Sequence, residues 1–251
     1  MVSKMTGRDL NLYKEKYLNN CGFEQKQVEY RRNNLLKYMR TYSPGKILEI
    51  GCGTESVASH YVDFTDFTVV EPIKEFFDIA REKLGEKVHC INNKFEDCIE
   101  ELRTKDFDFI IISSLIHELD RPQDILQGVC NLAGAETIVH INTPNAKSIH
   151  RLLGVKMGII RHTGELSDLA RSFQRRHEYE LPDIERLANE SGFKILDKGS
   201  YFLKPLSHEQ MQTLLESGKI SKEFLDAIYD ISRILPENGS EIFVNMKLKE
   251  A

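Results

Sequence analysis

Two glycines, an acid just before them and a second acid 18 residues further on are the residues whose types and spacing point most directly to ligand chemistry. In Lys46-Ile47-Leu48-Glu49-Ile50-Gly51-Cys52-Gly53-Thr54-Glu55-Ser56 a short apolar run enters a turn and then a predicted helix. Glycines let the backbone bend sharply and approach a ligand, and free N–H groups at a helix start favour polar or anionic groups. A dinucleotide turn would carry a third glycine at the position of Ser56, so a pyrophosphate-gripping nicotinamide site is disfavoured. Glu71 ends the next apolar run, at a spacing where a carboxylate accepts hydrogen bonds from a ribose diol. Glu49 is placed to meet a ligand's ammonium group or to form a structural ion pair.

A second group of residues follows the fourth and fifth apolar runs. His117 lies in the first of these loops, and Asn142-Thr143-Pro144-Asn145 forms the second. Between positions 145 and 180, Lys147, Arg151, Lys156, Arg161, Arg171, Arg175 and Arg176 outnumber Glu165, Asp168, Glu178 and Glu180, and His150, His162 and His177 stand among them. Such a stretch either captures an anionic group or forms a solvated helical face. His117, His162 and His177 are candidate bases or substrate ligands; Asn142, Arg161, Arg175 and Arg176 are candidate substrate binders. Cysteines 21, 52, 90, 98 and 130 are odd in number and form no Cys-x-x-Cys pair, which predicts reduced thiols and no metal site.

Strands and helices in alternation must position these residues. The apolar runs Lys46–Ile50, Phe67–Glu71, Lys87–Ile91, Phe107–Ile112, Glu136–Ile141, Phe193–Tyr201 and Glu241–Leu248 predict seven strands of a mostly parallel sheet. Helical patterns fall at Ile73–Leu84, Asp124–Leu132 and Pro182–Ser191, with Gly192 just past the last. Ahead of the sheet, Phe23–Arg40 carries a partial stripe of Val28, Leu35, Leu36 and Met39, expected to pack over one end of it. Between the last two strands, Ser207 with Gln210 reads as a capping box, with Leu206 and Met211 as its staple. A further helix there shows Phe224, Ile228, Ile231 and Leu235 at helical spacing.

The chain has 251 residues, 41% of them hydrophobic and 29% charged, enough to bury one sizeable core and too apolar for disorder. Its net charge of -5 argues against a general affinity for nucleic acid. The first residues lack the apolar stretch of a secretory signal, and no window has the apolar length of a membrane span, so a cytoplasmic protein is expected.

Leu48-Glu49-Ile50-Gly51-Cys52-Gly53, Val70-Glu71-Pro72, Phe107-Asp108-Phe109-Ile110-Ile111 and Leu115-Ile116-His117-Glu118-Leu119 resemble successive motifs of class I methyltransferases that use S-adenosylmethionine (SAM). The resemblance covers about residues 46 to 200. It implies an α/β, Rossmann-like seven-stranded mixed sheet with an antiparallel last strand and SAM lying across the strands' carboxyl ends, to be released as S-adenosylhomocysteine. In that family the turn of Glu49, Gly51, Cys52 and Gly53 meets the methionine part, Glu71 and Pro72 hold the ribose side, Phe95 and Glu96 flank the adenine, and Ser113 lies beside the methionine moiety. Asn93-Lys94 replaces the usual Gly-Asp ahead of that adenine region. The stretch with Tyr13, Tyr17, Arg31 and Arg32 resembles cap helices that close over SAM, with an arginine such as Arg32 facing the methionine carboxylate or else solvent.

These readings divide the chain into a helical cap at 1–44 and a methyltransferase domain at 45–251, with substrate-capping segments near 145–180 and 207–236. Thr143-Pro144-Asn145, Arg175-Arg176-His177-Glu178-Tyr179 and Ser191-Gly192-Phe193 are similar to bacterial small-molecule O-methyltransferases of natural-product and surface-sugar pathways, including the phosphonate- and phosphoramidate-type group. The expected reaction is methylation of an oxygen on a small, anionic metabolite by a monomer or homodimer that binds neither nucleic acid nor membrane. The alternatives are N- or C-methylation of a sugar or quinone-like molecule, an RNA or protein methyltransferase, and a non-catalytic SAM-binding protein.

Overall fold

The computed structural model describes residues 9–19 and 22–250, so Cys21 lies outside the described residues. Seven strands among them form one sheet: β1 (Lys46–Ile50), β2 (Asp66–Val70), β3 (His89–Ile91), β4 (Phe109–Ser113), β5 (Ile138–Pro144), β6 (Phe193–Tyr201) and β7 (Glu241–Leu248). Their order is β3-β2-β1-β4-β5-β7-β6, parallel throughout except for β7, which runs antiparallel to β5 and β6. Helices α1 (Leu10–Asn19) and α2 (Glu24–Tyr42) come first. Then α3 (Lys74–Leu84) follows β2, α4 (Ile99–Leu102) follows β3 and α5 (Pro122–Cys130) follows β4. Between β5 and β6 lie α6 (Ile149–Lys156), α7 (Asp168–Ser172) and α8 (Leu181–Glu190); between β6 and β7 lie α9 (His208–Glu216) and α10 (Lys222–Asp230). No helix among the described residues is long and apolar enough to cross a membrane.

Alternation along β4 builds both faces of the core. Phe109 and Ile111 pack with Ile47, Phe67 and Val69 on one face, while Ile110 and Ile112 pack with Leu126, Val129 and Ala188 on the other. Leu35, Leu36 and Met39 of α2 join the first face, so α2 covers a face of the sheet and not its end. There is room because the helix expected after the glycine turn does not form; only a single 3-10 turn, Val57–Ser59, stands between β1 and β2. The backbone amides of Val57 and Ala58 bond instead to the side chains of Glu49 and Ser56. The capping box of Ser207 and Gln210 opens α9. On α10 the buried residue is Leu225, with Ile228 packed beside it, whereas Phe224, Ile231 and Leu235 of the expected stripe remain largely exposed.

The chain leaves β1 toward β2 and returns through β4 on its other side. That makes the carboxyl edge between β1 and β4 a topological switch point, where ligands bind in open α/β sheets. One buried ion pair holds the helical layer to this edge. The Arg31 Nε donates to Glu241 Oε1 and Oε2 at 3.0 and 2.9 Å. Gln27 and the Tyr201 hydroxyl also donate to Glu241, at 2.9 and 2.5 Å. Burial alone would raise the pKa of Glu241, but Arg31, Tyr201 and Gln27 hold it below the ordinary carboxylate range. Replacing Arg31 by Met would strand that carboxylate. Urea unfolding at neutral pH should show a loss of about 3–5 kcal/mol, and a loss within ordinary surface-mutation effects would contradict this role.

Candidate active site

The chain turns at the end of β1 through Gly51 (φ 77°) and Gly53 (φ 59°), both in the left-handed region that side chains disfavour. At Gly53 a Cβ would also come within 3.2 Å of the Tyr17 hydroxyl oxygen. The Gly51 amide donates to the Val70 carbonyl at 2.8 Å, and the Gly53 amide donates to Glu71 Oε2 at 3.1 Å. Glu71 Oε1 accepts from the Ile73 amide at 2.9 Å. The Cys52 thiol also points to Glu71 Oε2, at 4.0 Å. Glu49 is committed within the loop: it accepts from the Val57 amide at 3.2 Å and from the Ser56 hydroxyl.

Above the turn lies a cavity of about 610 Å3, within the size range of pockets that hold small molecules and cofactors. Glu49, Gly51, Cys52, Gly53, Glu71, Pro72 and Ser113 line its sheet side, and Tyr13, Tyr17 and Arg32 line its helical side. Helix α1 is pinned over it. The Tyr13 ring lies 5.7 Å from that of Tyr17 and 6.2 Å from that of Phe173, and Tyr17 lies 5.2 Å from Phe76. Lys14 pairs with Glu75 at 2.5 Å, and Asp9 and Gln174 exchange two hydrogen bonds of 2.9 Å. These residues fit SAM: glycine backbone open to a close approach, the Glu71 carboxylate for ribose hydroxyls, and Pro72, Ile73 and Phe76 as an apolar wall for a base.

Other sequence-derived candidates take different places. Arg32 lines the cavity but pairs with Glu55 at 2.7 Å. Phe95 does not line it; its ring is buried so closely against Gly128 that a Cβ there would lie 2.7 Å from it. Glu96 is half-buried outside the lining, with its Oε1 sealed from water and unpartnered among the described residues. Asn142 is fully buried beneath the wall, where its Oδ1 accepts from the Ser114 amide at 3.0 Å and from the Ser113 hydroxyl at 3.2 Å. Its Nδ2 faces His140 Nε2 at 3.2 Å, while His140 Nδ1 meets Asn245 Oδ1 at 2.7 Å. Burial pushes His140 down to about 4, so a neutral ring orients Asn142 and through it the two serines.

Of the three candidate histidines only His117 lines the cavity. Its Nδ1 lies 3.1 Å from Thr143 Oγ1, and its Nε2 lies 3.8 Å from Glu118 Oε1. His162 is exposed, and His177 packs its ring 5.5 Å from Tyr179, outside the lining. Arg161 is spent on Glu165 at 3.2 Å with its side chain 83% exposed, and Arg176 pairs with Asp120 at 3.0 Å. Arg175 does line the cavity, and no carboxylate among the described residues lies within 4.0 Å of it. Of the lining residues, Phe173 carries no spacing signal that marks it in the sequence, whereas Thr54, Leu115 and Glu118 stand in motifs already noted.

Burial, with the charge of Glu71 adding to it, raises the Glu49 pKa to about 7, against the hydrogen bonds from Ser56 and Val57. Glu49 therefore supports folding fully only below its ordinary pKa of 4.5, and that contribution is lost as the pH climbs to about 7. Glu49→Gln removes this dependence. Relative to the native chain, the variant should gain stability between pH 5 and pH 8, as read from urea midpoints; a pH-independent difference would argue against a buried, titrating Glu49.

Comparison with known proteins agrees with this architecture. The plantazolicin methyltransferase BamL, crystallised with a desmethylplantazolicin analogue and S-adenosylhomocysteine, superposes with a TM-score of 0.59 at 15% identity, over 91% of this chain and 88% of its own. A possible histamine N-methyltransferase of Thermotoga maritima gives a TM-score of 0.58 at 15% identity, over 95% and 99%. A putative SAM-dependent methyltransferase of Listeria monocytogenes gives 0.60 at 11% identity, over 89% and 99%. No curated protein sequence matches. These structural likenesses concern the fold; the family follows from sequence, since the methyltransferase-domain model matches residues 11–198. With the glycine turn, Glu71 and the cavity above them, the chain belongs to the methyltransferase-domain family and is a SAM-dependent methyltransferase.

Proposed function

We propose that this enzyme methylates an oxygen of a small, anionic acceptor, a metabolite bearing a carboxylate, phosphate, phosphonate or phosphoramidate group, in natural-product or surface-sugar chemistry. The observation that carries this reading is Arg175: it lines the cavity, its Nε is sealed from water, and its side chain has no partner among the described residues. A sealed guanidinium N–H left without an acceptor is costly, and an anion held by the rest of the fork would suit this half-buried arginine. The size of the enclosure supports a small acceptor, as does α1 packed across it.

When bound, SAM supplies an electrophilic methyl group on a sulfonium. The chain's own work is then to align the acceptor, exclude water and, where the acceptor is a neutral hydroxyl, take up its proton. Tyr13, Tyr17 and Phe173 give the helical side an aromatic lining. Ser113 and Ser114, fixed by Asn142, shape the wall nearest β4. His117, held by Thr143 and beside Glu118, is the proton acceptor where one is required. An already ionised phosphoryl or carboxylate oxygen needs only positioning.

A second reading has its own support. Glu24, Glu55 and Glu118 also line the cavity, and carboxylates there suit an amine acceptor for N-methylation. A library of acceptors incubated with SAM and analysed by mass spectrometry separates the two. A gain of one methyl on an anionic oxygen acceptor, with a pH–rate profile lacking a basic limb, is expected; methylation of neutral amines alone would sink the proposal.

A further inference from the structure

The loop that leaves β4 turns on a strained residue. Ser114, the first residue past β4, adopts φ 52° and lines the cavity. That left-handed conformation is unfavourable for a residue with a Cβ and persists where neighbouring groups impose it. Here the imposing group is Asn142 on β5. The Ser114 amide donates to both the backbone carbonyl and the side-chain Oδ1 of Asn142, each at 3.0 Å. One residue on, the Leu115 side chain lies over the donor turn, close enough that a Cβ at Gly51 would meet its Cδ2 at 3.6 Å. Beyond Leu115 the loop is gripped again. Thr143 Oγ1 lies 3.1 Å from His117 Nδ1, and the His117 carbonyl accepts the amides of Arg176 and His177 at 2.8 and 3.1 Å. Consecutive residues of β5 thus fix the two ends of the loop, and the end held by Asn142 is the one that reaches the glycine turn.

A chain of buried groups behind Asn142 keeps its oxygen pointed at Ser114. A backbone N–H can only donate, so the Asn142 atom facing it must be the oxygen, and Nδ2 must face His140 Nε2, 3.2 Å away. That ring nitrogen must then be unprotonated, which leaves the proton on Nδ1 to be donated to Asn245 Oδ1 at 2.7 Å. Asn142, His140 and Asn245 are all fully buried, so none can exchange these partners for water. Asn245 presents its oxygen although its own Nδ2 stays buried without a partner among the described residues. A penalty tolerated at the far end of the chain is what a relay set by the Ser114 amide requires. The reversed orientation would turn Asn142 Nδ2 on that amide, donor against donor.

We propose that Asn142 is a positioning residue of the donor site: by clamping the Ser114 amide it holds Ser114 left-handed and Leu115 across Gly51, and so sets one wall of the seat for SAM. This rests on the SAM seat at the glycine turn and is independent of which acceptor atom is methylated. Asn142 is outside the cavity lining, whereas Ser113, Ser114 and Leu115 are part of it, so Asn142 acts through them and not by contact with the ligand.

The test needs no known acceptor. S-adenosylhomocysteine is titrated calorimetrically into the native chain, Glu71→Ala, Asn142→Ala, Ser114→Gly and the double variant Asn142→Ala/Ser114→Gly. With serine at 114, Asn142→Ala should weaken binding about tenfold, the size of effect that one lost buried acceptor carries. With glycine at 114 the same replacement should change the affinity by less than about threefold, because glycine takes a left-handed φ without being held there. An Asn142 that only fills space would cost the same in both backgrounds. Should Asn142→Ala fail to fold, Ser114→Val tests the bend from its other side. A β-branched side chain resists the left-handed conformation more than serine does, and binding should weaken about tenfold with Asn142 in place. Equal losses in the two backgrounds, no loss in Asn142→Ala, or native affinity in Ser114→Val would overturn the clamp. If Glu71→Ala alone loses affinity, the SAM seat stands and the clamp falls; if Glu71→Ala binds as the native chain does, the seat is misplaced and the clamp falls with it.

Discussion

Glu71 and Glu49, at the ends of two adjacent parallel strands, hold the loop on which the whole site is built. Parallel strands place like-directed carbonyls and amides at one edge, and a sharp turn there leaves backbone donors with no strand to satisfy them. Glu71 answers for Gly53 and Ile73, and Glu49 answers for Val57. With those amides satisfied by side chains, the connection to β2 needs no helix. The vacated sheet face is filled by α2, whose other end reaches the cavity. Thus a local hydrogen-bonding demand decides where the N-terminal helices sit, and they in turn roof the ligand space.

The opposite side of the edge depends on a second set of buried polar contacts. Asn245, His140 and Asn142 link β7 and β5 to the serines after β4, while Arg31 and Glu241 link α2 to the start of β7. Such networks are costly when half satisfied and rigid when complete. Here Asn142 has both its Oδ1 and its Nδ2 engaged, while Asn245 keeps a buried Nδ2 without a partner among the described residues. Arg175, which lines the cavity, keeps a sealed Nε without a partner among the described residues.

Much of this was legible in the amino-acid order because strand periodicity and turn chemistry are local. β6 and β7 match their apolar runs at both ends, and the Ser207–Gln210 capping box forms as its spacing requires. The glycine turn and Glu71 come together because they lie on neighbouring strands. What was not legible depended on distant partners. The helix after the turn is absent because Glu49 and Ser56, not a helical turn, satisfy its first amides. Phe95 goes to the core because Gly128 leaves room for its ring. Arg161 and Arg175 are the same residue type in the same basic stretch, yet one meets Glu165 in solvent and the other faces the cavity.

We infer that SAM binds at the loop tied down by Glu71. Calorimetric titration of SAM into the native chain and into Glu71→Ala measures this directly, with circular dichroism to establish that the variant is folded. The native chain is expected to bind SAM saturably, with affinity weakened about tenfold or more in the variant, since a charge-assisted pair of hydrogen bonds to the ribose is lost. Equal affinity in a folded variant would contradict it and move the donor site away from the β1–β2 edge.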